Sequence, residues 1–327
     1  MLRTLLAGWL DADRHGGKGR RMSSGHEVVI IGGGPAGCTA GLYCARAGLR
    51  TLLIERGAVG GQIANASLVE NYPGFPRGIP GVELASLMHQ QAARYELDFA
   101  TEEVTGIARD GSFVVSTPDG RYETEAVIVA AGSEYRKLQA PGEARLAGHG
   151  VSYCATCDGF FFRNQTVAVI GGGDTALTDA LELSQHASRV YVVHRRDELR
   201  AGTALQQRAF AEPKLEFVWS SVVEEVMGDA RVRGLNLLNV KTGRRSVLDV
   251  DGVFVAVGVT PNSQAFSSLL ECDADGCIVT DERMATMVPG VFAVGDIRRN
   301  SPRQVSTAVG DGATAAMAAF RFLKEGR

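Results

Sequence analysis

Cys154 and Cys157, in SYCATCDGFF, stand three apart with an acid, Asp158, directly after the second. A pair at this spacing can exchange a disulfide for two thiols, supply half of a zinc site, or staple a loop. Asp158 is placed either to shuttle the proton that thiolate chemistry requires or to act as an ordinary turn or capping acid. Cys272 and Cys277, in ECDADGC, could complete a four-cysteine zinc site, although a four-residue gap is loose for a zinc hook. Cys38 and Cys44 fall on one expected helix, roughly 120° apart, and read as small buried hydrophobes. The choice among redox pair, staple and metal hook rests on the elements around them.

Those elements repeat. EVVIIGGGPAGCTAGLYCARAGLRTLLIER runs from an apolar strand through Gly32-x-Gly34-x-x-Gly37 into a helix and a second strand ending at Glu55. Gly32 makes the turn, Gly34 lets backbone approach a pyrophosphate, and Gly37 lets helix and strand pack, while the helix N-terminus supplies amide donors. Glu55 comes where an acid bonds a ribose hydroxyl pair, about 20 residues on. The pattern returns in TVAVIGGGDTALTDALELSQHASRVYVVHRR, with Gly171, Gly173 and Ala176 in the three turn positions. Here the second strand ends at His194, followed by Arg195, Arg196 and, in the same segment, Arg200. A carboxylate accepts from free hydroxyls and repels an added phosphate, whereas guanidinium groups bind one. The first site is therefore expected to take FAD and the second NADPH. AVIVAAG, ending at Gly132, and GVFVAVG, ending at Gly258, read as closing strands of the two units. Asp296, after the short strand GVFAVGD, is a further candidate for cofactor contact.

The 327 residues suggest two domains. A net charge of −3 supports neither nucleic acid nor an anionic membrane as the main partner, and no apolar run nears the ~20 residues of a membrane span. A soluble protein is expected. Six cysteines are too few for a disulfide scaffold in a chain this long. The opening segment has neither a cleavage site nor a clean transit-peptide composition, and is expected to be a disordered extension over residues 1–25 or the product of an upstream start before Met22.

In combination these motifs resemble the low-molecular-weight, bacterial-type thioredoxin reductases of the pyridine nucleotide-disulfide oxidoreductase family. The resemblance runs from about Glu27 to Phe322 and is carried by GGGPAG, GGQ at 60–62, NYPGFP at 71–76, CATCDG at 154–159, GGGDTA, HRRDELR, GD at 295–296 and RQ at 303–304. It implies an α/β fold of two Rossmann-like dinucleotide-binding domains, the NADPH domain inserted into a discontinuous FAD domain. The FAD domain would comprise residues 26–134 and 261–327, and the NADPH domain 135–260. Pro35, Ala36, Gly61, Gln62, Asn71, Ala131, Gly132, Arg303 and Gln304 would join the FAD site, and Asp174 and Thr175 the NADPH site.

The resemblance also implies a cytoplasmic homodimer acting on thioredoxin or a thioredoxin-like protein. With both cofactors expected, Cys154–Cys157 is read as the redox pair and no metal is expected. Cys157 would be the flavin-side sulfur and Cys154 the attacker of the partner. Since nicotinamide and disulfide both need the flavin, the crossings near 132–135 and 258–261 are expected to be hinges. Rival readings are a flavin reductase serving another thioredoxin-like or peroxiredoxin system, and a nucleotide-sensing flavoprotein without turnover.

Overall fold

The computed structural model describes residues 22–66 and 68–325. The strands Val28–Ile31, Thr51–Glu55, Asp98–Thr101, Ala126–Val129 and Val291–Ala293 form one parallel sheet. Val28–Ile31 lies at its centre, with Ala126–Val129 and then Val291–Ala293 to one side, and Thr51–Glu55 and Asp98–Thr101 to the other. VVII and AVIV are buried throughout, as parallel strands covered on both faces must be. Helices Pro35–Arg46 and Val305–Glu325 cover one face. The antiparallel strands Gly106–Asp110, Ser112–Ser116 and Arg121–Thr124 contribute to the apolar cluster on the other. Close helix packing needs the small residues of the last helix: a Cβ on Gly312 would lie 2.3 Å from the Ala36 carbonyl oxygen.

Between Ala126–Val129 and Val291–Ala293 the chain leaves to build a second unit of the same plan. Val151–Ser152, Gly252–Val255, Thr166–Ile170, Arg189–Val193 and Leu215–Val218 form its parallel sheet, in that spatial order. Its antiparallel layer is Ser221–Gly228, Val232–Asn239 and Arg245–Asp249. The units differ at one edge: the first sheet takes its edge strand from sequence after the second unit, whereas the second takes Val151–Ser152 from before its glycine turn. The outgoing and returning chains run side by side as the antiparallel pair Ser133–Tyr135 and Val259–Pro261.

The extension expected to be disordered through residue 25 is corrected at its end. Met22–Ser24 form a strand parallel to Arg121–Glu123. The open edge of Arg121–Thr124 presents backbone donors and acceptors that an extended segment can satisfy. The rest of that expectation, residues 1–21, lies outside the described residues. Among the described residues no helix is long and apolar enough to cross a membrane.

Candidate active site

Each glycine turn delivers a central strand into a helix: Val28–Ile31 into Pro35–Arg46, and Thr166–Ile170 into Asp174–Leu183. Gly32 has φ +105°, and a Cβ there would lie 2.4 Å from the Ala130 carbonyl oxygen, so the turn admits only glycine. Gly34 and Gly173 cap the two helices without any side-chain hydrogen bond, and a Cβ on either would meet nothing within 4 Å. Uncapped first-turn amides facing open space suit a phosphate group. Pro35 takes the first helical position, where no donor is needed, and Ala36 and Ala176 are buried. Asp174 is committed elsewhere, its Oδ1 accepting from the Gly202 amide at 2.7 Å, while Thr175 is exposed.

The ends of the second strands also correspond. Glu55 Oε2 accepts the Gly33 amide at 2.6 Å and Oε1 the Gly57 amide at 3.1 Å, which fixes the carboxylate beside the turn with lone pairs to spare for hydroxyls. His194 occupies the matching place in the second unit but is buried under the turn: a Cβ on Gly172 would lie 2.4 Å from its ring. Burial first, then Arg200, Arg195 and Arg196, push its pKa down. It therefore packs as a neutral ring and does not stand out in solvent with the arginines. Arg195, Arg196 and Arg200 are exposed and have no ion-pair partner among the described residues. The Arg200 amide donates to the Gly172 carbonyl at 2.8 Å, tying that segment to the turn.

Cys154 and Cys157 are joined as a disulfide. Cys154 caps the short helix Ala155–Asp158, and its Sγ accepts the Cys157 amide at 3.2 Å. Asp158 Oδ2 accepts from the Ser152 hydroxyl at 2.6 Å, and Ser152 Oγ accepts the Cys154 amide at 3.1 Å. Burial raises the Asp158 pKa, with the Ser152 hydrogen bond opposing it. Thr156 donates to Glu182 Oε2 at 2.9 Å, fastening the redox turn to the glycine-turn helix. Cys157 is exposed and Cys154 half-buried. Cys272 and Cys277 do not join the pair; both are free thiols whose pKa values burial raises. Among the described residues no three potential metal ligands gather. Cys38 and Cys44 are buried on their shared helix, each thiol pushed up to about 12 by burial.

The remaining first-unit candidates come together from distant sequence. Gln62, in the 3-10 helix Gly61–Asn65, donates to the Ser133 carbonyl at 3.4 Å, and Asn71 donates to Gln304 Oε1 at 3.0 Å. Asn262 secures the crossing, its side chain donating to the Ala131 carbonyl at 2.8 Å and its amide to that of Gly132 at 3.0 Å. Arg303 holds φ +56° with its Nε buried and unbonded, and Asp296 accepts from the Ser301 hydroxyl at 3.2 Å.

Several residues that the motifs did not single out belong to this assembly. Tyr135 stacks on Tyr153, next to Cys154, at 5.4 Å between centroids. Burial pushes its hydroxyl up to about 12; Asp296, Arg303, Asp179 and Asp158 also act on it, so charges from both units converge there. The half-buried Arg298 and the buried Asp311 form an ion pair behind Asp296, and Ser152 holds Asp158. The only forewarning in the sequence was proximity to motif residues.

The description of the pyridine nucleotide-disulphide oxidoreductase family matches residues 26–312. The thioredoxin reductase of Listeria monocytogenes is 46% identical over 302 residues, covering 92% of this chain and 94% of that protein. That of Streptomyces coelicolor is 48% identical over 307 residues, covering 92% and 95%. Among solved structures, thioredoxin reductase from Streptococcus pyogenes superposes with a TM-score of 0.88 at 45% identity, covering 92% of this chain and 98% of that one. Lactococcus lactis thioredoxin reductase in its FR conformation gives 0.63 at 46% identity, covering 92% and 100%. Two glycine turns, a disulfide between them in sequence and these likenesses agree: the chain belongs to the pyridine nucleotide-disulphide oxidoreductase family, whose chemistry uses a flavin and a nicotinamide nucleotide.

Proposed function

We propose that this chain is an NADPH-dependent FAD enzyme that reduces the disulfide of thioredoxin, or of a thioredoxin-like protein, through Cys154 and Cys157. The observation that carries this reading is the Cys154–Cys157 disulfide, set in the same unit as the exposed arginines that suit a phosphate and beside Tyr153, on which Tyr135 of the crossing stacks. The first turn, Glu55, Gln62, Asn71, Ala131, Gly132, Asp296, Arg303 and Gln304 would hold FAD. The second turn with Arg195, Arg196 and Arg200 would hold NADPH, and His194 supports the turn from beneath.

When bound, the flavin supplies the coupling between two-electron nicotinamide and disulfide chemistry. Two electrons open the Cys154–Cys157 bond. The Cys157 amide that donates to Cys154 Sγ favours the thiolate of Cys154. That thiolate attacks the partner's disulfide, forming a mixed disulfide and releasing one partner thiolate, which Asp158 is placed to protonate. Cys157 then attacks Cys154 Sγ, restoring the internal disulfide and releasing the partner as a dithiol.

The same proposal sets the domain limits at 26–134 with 261–327 for FAD and 135–260 for NADPH, with the hinge at the crossing, a reading supported by the paired strands Ser133–Tyr135 and Val259–Pro261. Near-equal identity to two relatives with unequal superposition, 0.88 against 0.63, is what such a hinge would give. A cytoplasmic homodimer belongs to the same proposal. The test is NADPH consumption with a thioredoxin and a dithiol-sensitive dye. Turnover that disappears in Cys157→Ser, while NADPH still bleaches the flavin, is expected. Bleaching without turnover in the unaltered protein, across thioredoxins, would favour the nucleotide-sensing rival.

A further inference from the structure

We propose that Trp219 is the platform on which the adenine of the second nucleotide stacks. This rests on the reading of the second turn as an NADPH site. Leu215–Val218 is the outer strand of that sheet, paired with Arg189–Val193 so that Val218 lies beside Val193. Beyond the pair, the His194 amide donates to the Val218 carbonyl and the Ser220 amide to the Arg196 carbonyl, each at 3.0 Å. Trp219 thus stands next to His194 and Arg195 at the carboxyl end of its strand, where parallel sheets receive ligands.

Strand alternation sets the face. Phe217 and Trp219 pack with Val190, Val192 and Leu177 in the cluster beneath the glycine-turn helix. The indole therefore lies on the same side of the sheet as the turn, one strand spacing, about 4.8 Å, beyond the strand that ends at the arginines. An adenosine with its pyrophosphate at the turn and its ribose beside Arg195 brings its base over the next strand.

The ring is already fixed for that contact. Phe217 and Trp219 stack at 5.1 Å with their planes 8° apart. Phe217 precedes Trp219 along the strand and so backs the indole on its inner side, directing the other face past the strand end. Phe210 flanks the indole at 6.4 Å, and Asn239 donates to the Trp219 carbonyl at 3.4 Å. The Lys241–Asp197 ion pair holds the neighbouring hairpin turn to the arginine segment. In the first unit the residue in register with Glu55, as Trp219 is with His194, is Thr101, followed by Glu102 and Glu103, and none of the three carries an aromatic ring. The platform is thus a feature of the second site alone.

The probe is 2′,5′-ADP, titrated calorimetrically into the full chain with its flavin bound. Trp219→Leu is expected to weaken binding about 10-fold or more, and Trp219→Phe to stay within about 3-fold of the unaltered protein, as base–aromatic stacking predicts. The loss in Arg195→Ala should shrink with added salt and that in Trp219→Leu should not. Reduction by the reduced nicotinamide mononucleotide, which has no adenine, should keep its rate in Trp219→Leu. In Trp9→Phe protein, where Trp219 is the remaining tryptophan, 2′,5′-ADP should change the indole emission. Unchanged emission, unchanged affinity in Trp219→Leu, or an equal loss with the mononucleotide would overturn the platform while leaving the NADPH site standing. An unaltered protein that takes up no 2′,5′-ADP would remove both.

Discussion

The Ser152 hydroxyl donates to Asp158 Oδ2 across 2.6 Å, from the residue two before the first redox cysteine to the residue after the second. Burial favours the neutral acid and the Ser152 bond favours the carboxylate. Asp158→Asn is expected to lower disulfide turnover by about 100-fold or more, the usual scale of a lost proton shuttle. Ser152→Ala removes the bond that favours the carboxylate, so the pH-rate limb set by Asp158 should move to higher pH. A limb that stays in place in Ser152→Ala would separate Asp158 from proton transfer.

Arg195 and Arg196 are solvent-exposed and unpaired among the described residues, so replacing them removes charge without breaking a folded contact. Changing both to Ala should raise KM for NADPH about 100-fold, two charge-assisted hydrogen bonds being lost, and leave KM for NADH within about 3-fold. Steady-state kinetics with the two nucleotides decides this. An equal loss with both would take the 2′-phosphate away from these arginines.

The two-unit plan was legible because it rests on short-range chemistry. An apolar strand, a glycine at positive φ and a small-residue helix leave a local signature that needs no distant partner, and Gly32 and Gly171 both show it. The cysteine pair was legible for the same reason. What escaped the sequence depends on neighbours brought by folding. His194, in register with Glu55, invites a phosphate-binding role, yet Gly172 lies against its ring and buries it. Ser152 and Trp219 look ordinary until a turn brings Asp158 to one and a neighbouring strand brings Arg195 to the other. The strand at Met22–Ser24 likewise depends on an edge about a hundred residues away.

Arg298 and Asp311 form a bidentate pair, at 2.6 and 2.9 Å, and the Gly295 amide also donates to Asp311 at 3.0 Å. Asp311 sits on the last helix and thereby holds the turn Gly295–Ile297 that carries Asp296. Asp311→Ala leaves a half-buried guanidinium without its carboxylate and should cost roughly 3–5 kcal/mol of stability. Because the Asp296 turn is released as well, bound flavin per chain should fall, measured by visible absorbance against protein. Loss of stability with full flavin retention would show that the pair braces the helix and not the site.

Asp179, half-buried on the glycine-turn helix, has its pKa raised to about 7, chiefly by burial and then by Glu182, while Arg303 of the other unit opposes the rise. From the ordinary carboxylate range up to about pH 7 the folded chain therefore holds this proton more tightly than the unfolded chain does. Its contribution to stability is present at low pH and is lost as pH rises through that window, in full roughly 4 kcal/mol. Asp179→Asn cannot ionise. Relative to the unaltered protein, its stability in denaturant should gain steadily from about pH 4 to 7 and then level off. A gap between the two proteins that stays constant across that range would mean Asp179 ionises as a solvent-exposed carboxylate does. Arg303→Gln gives the complementary reading: with the opposing charge gone, the window should extend to higher pH, and only if Arg303 faces Asp179 across the two units.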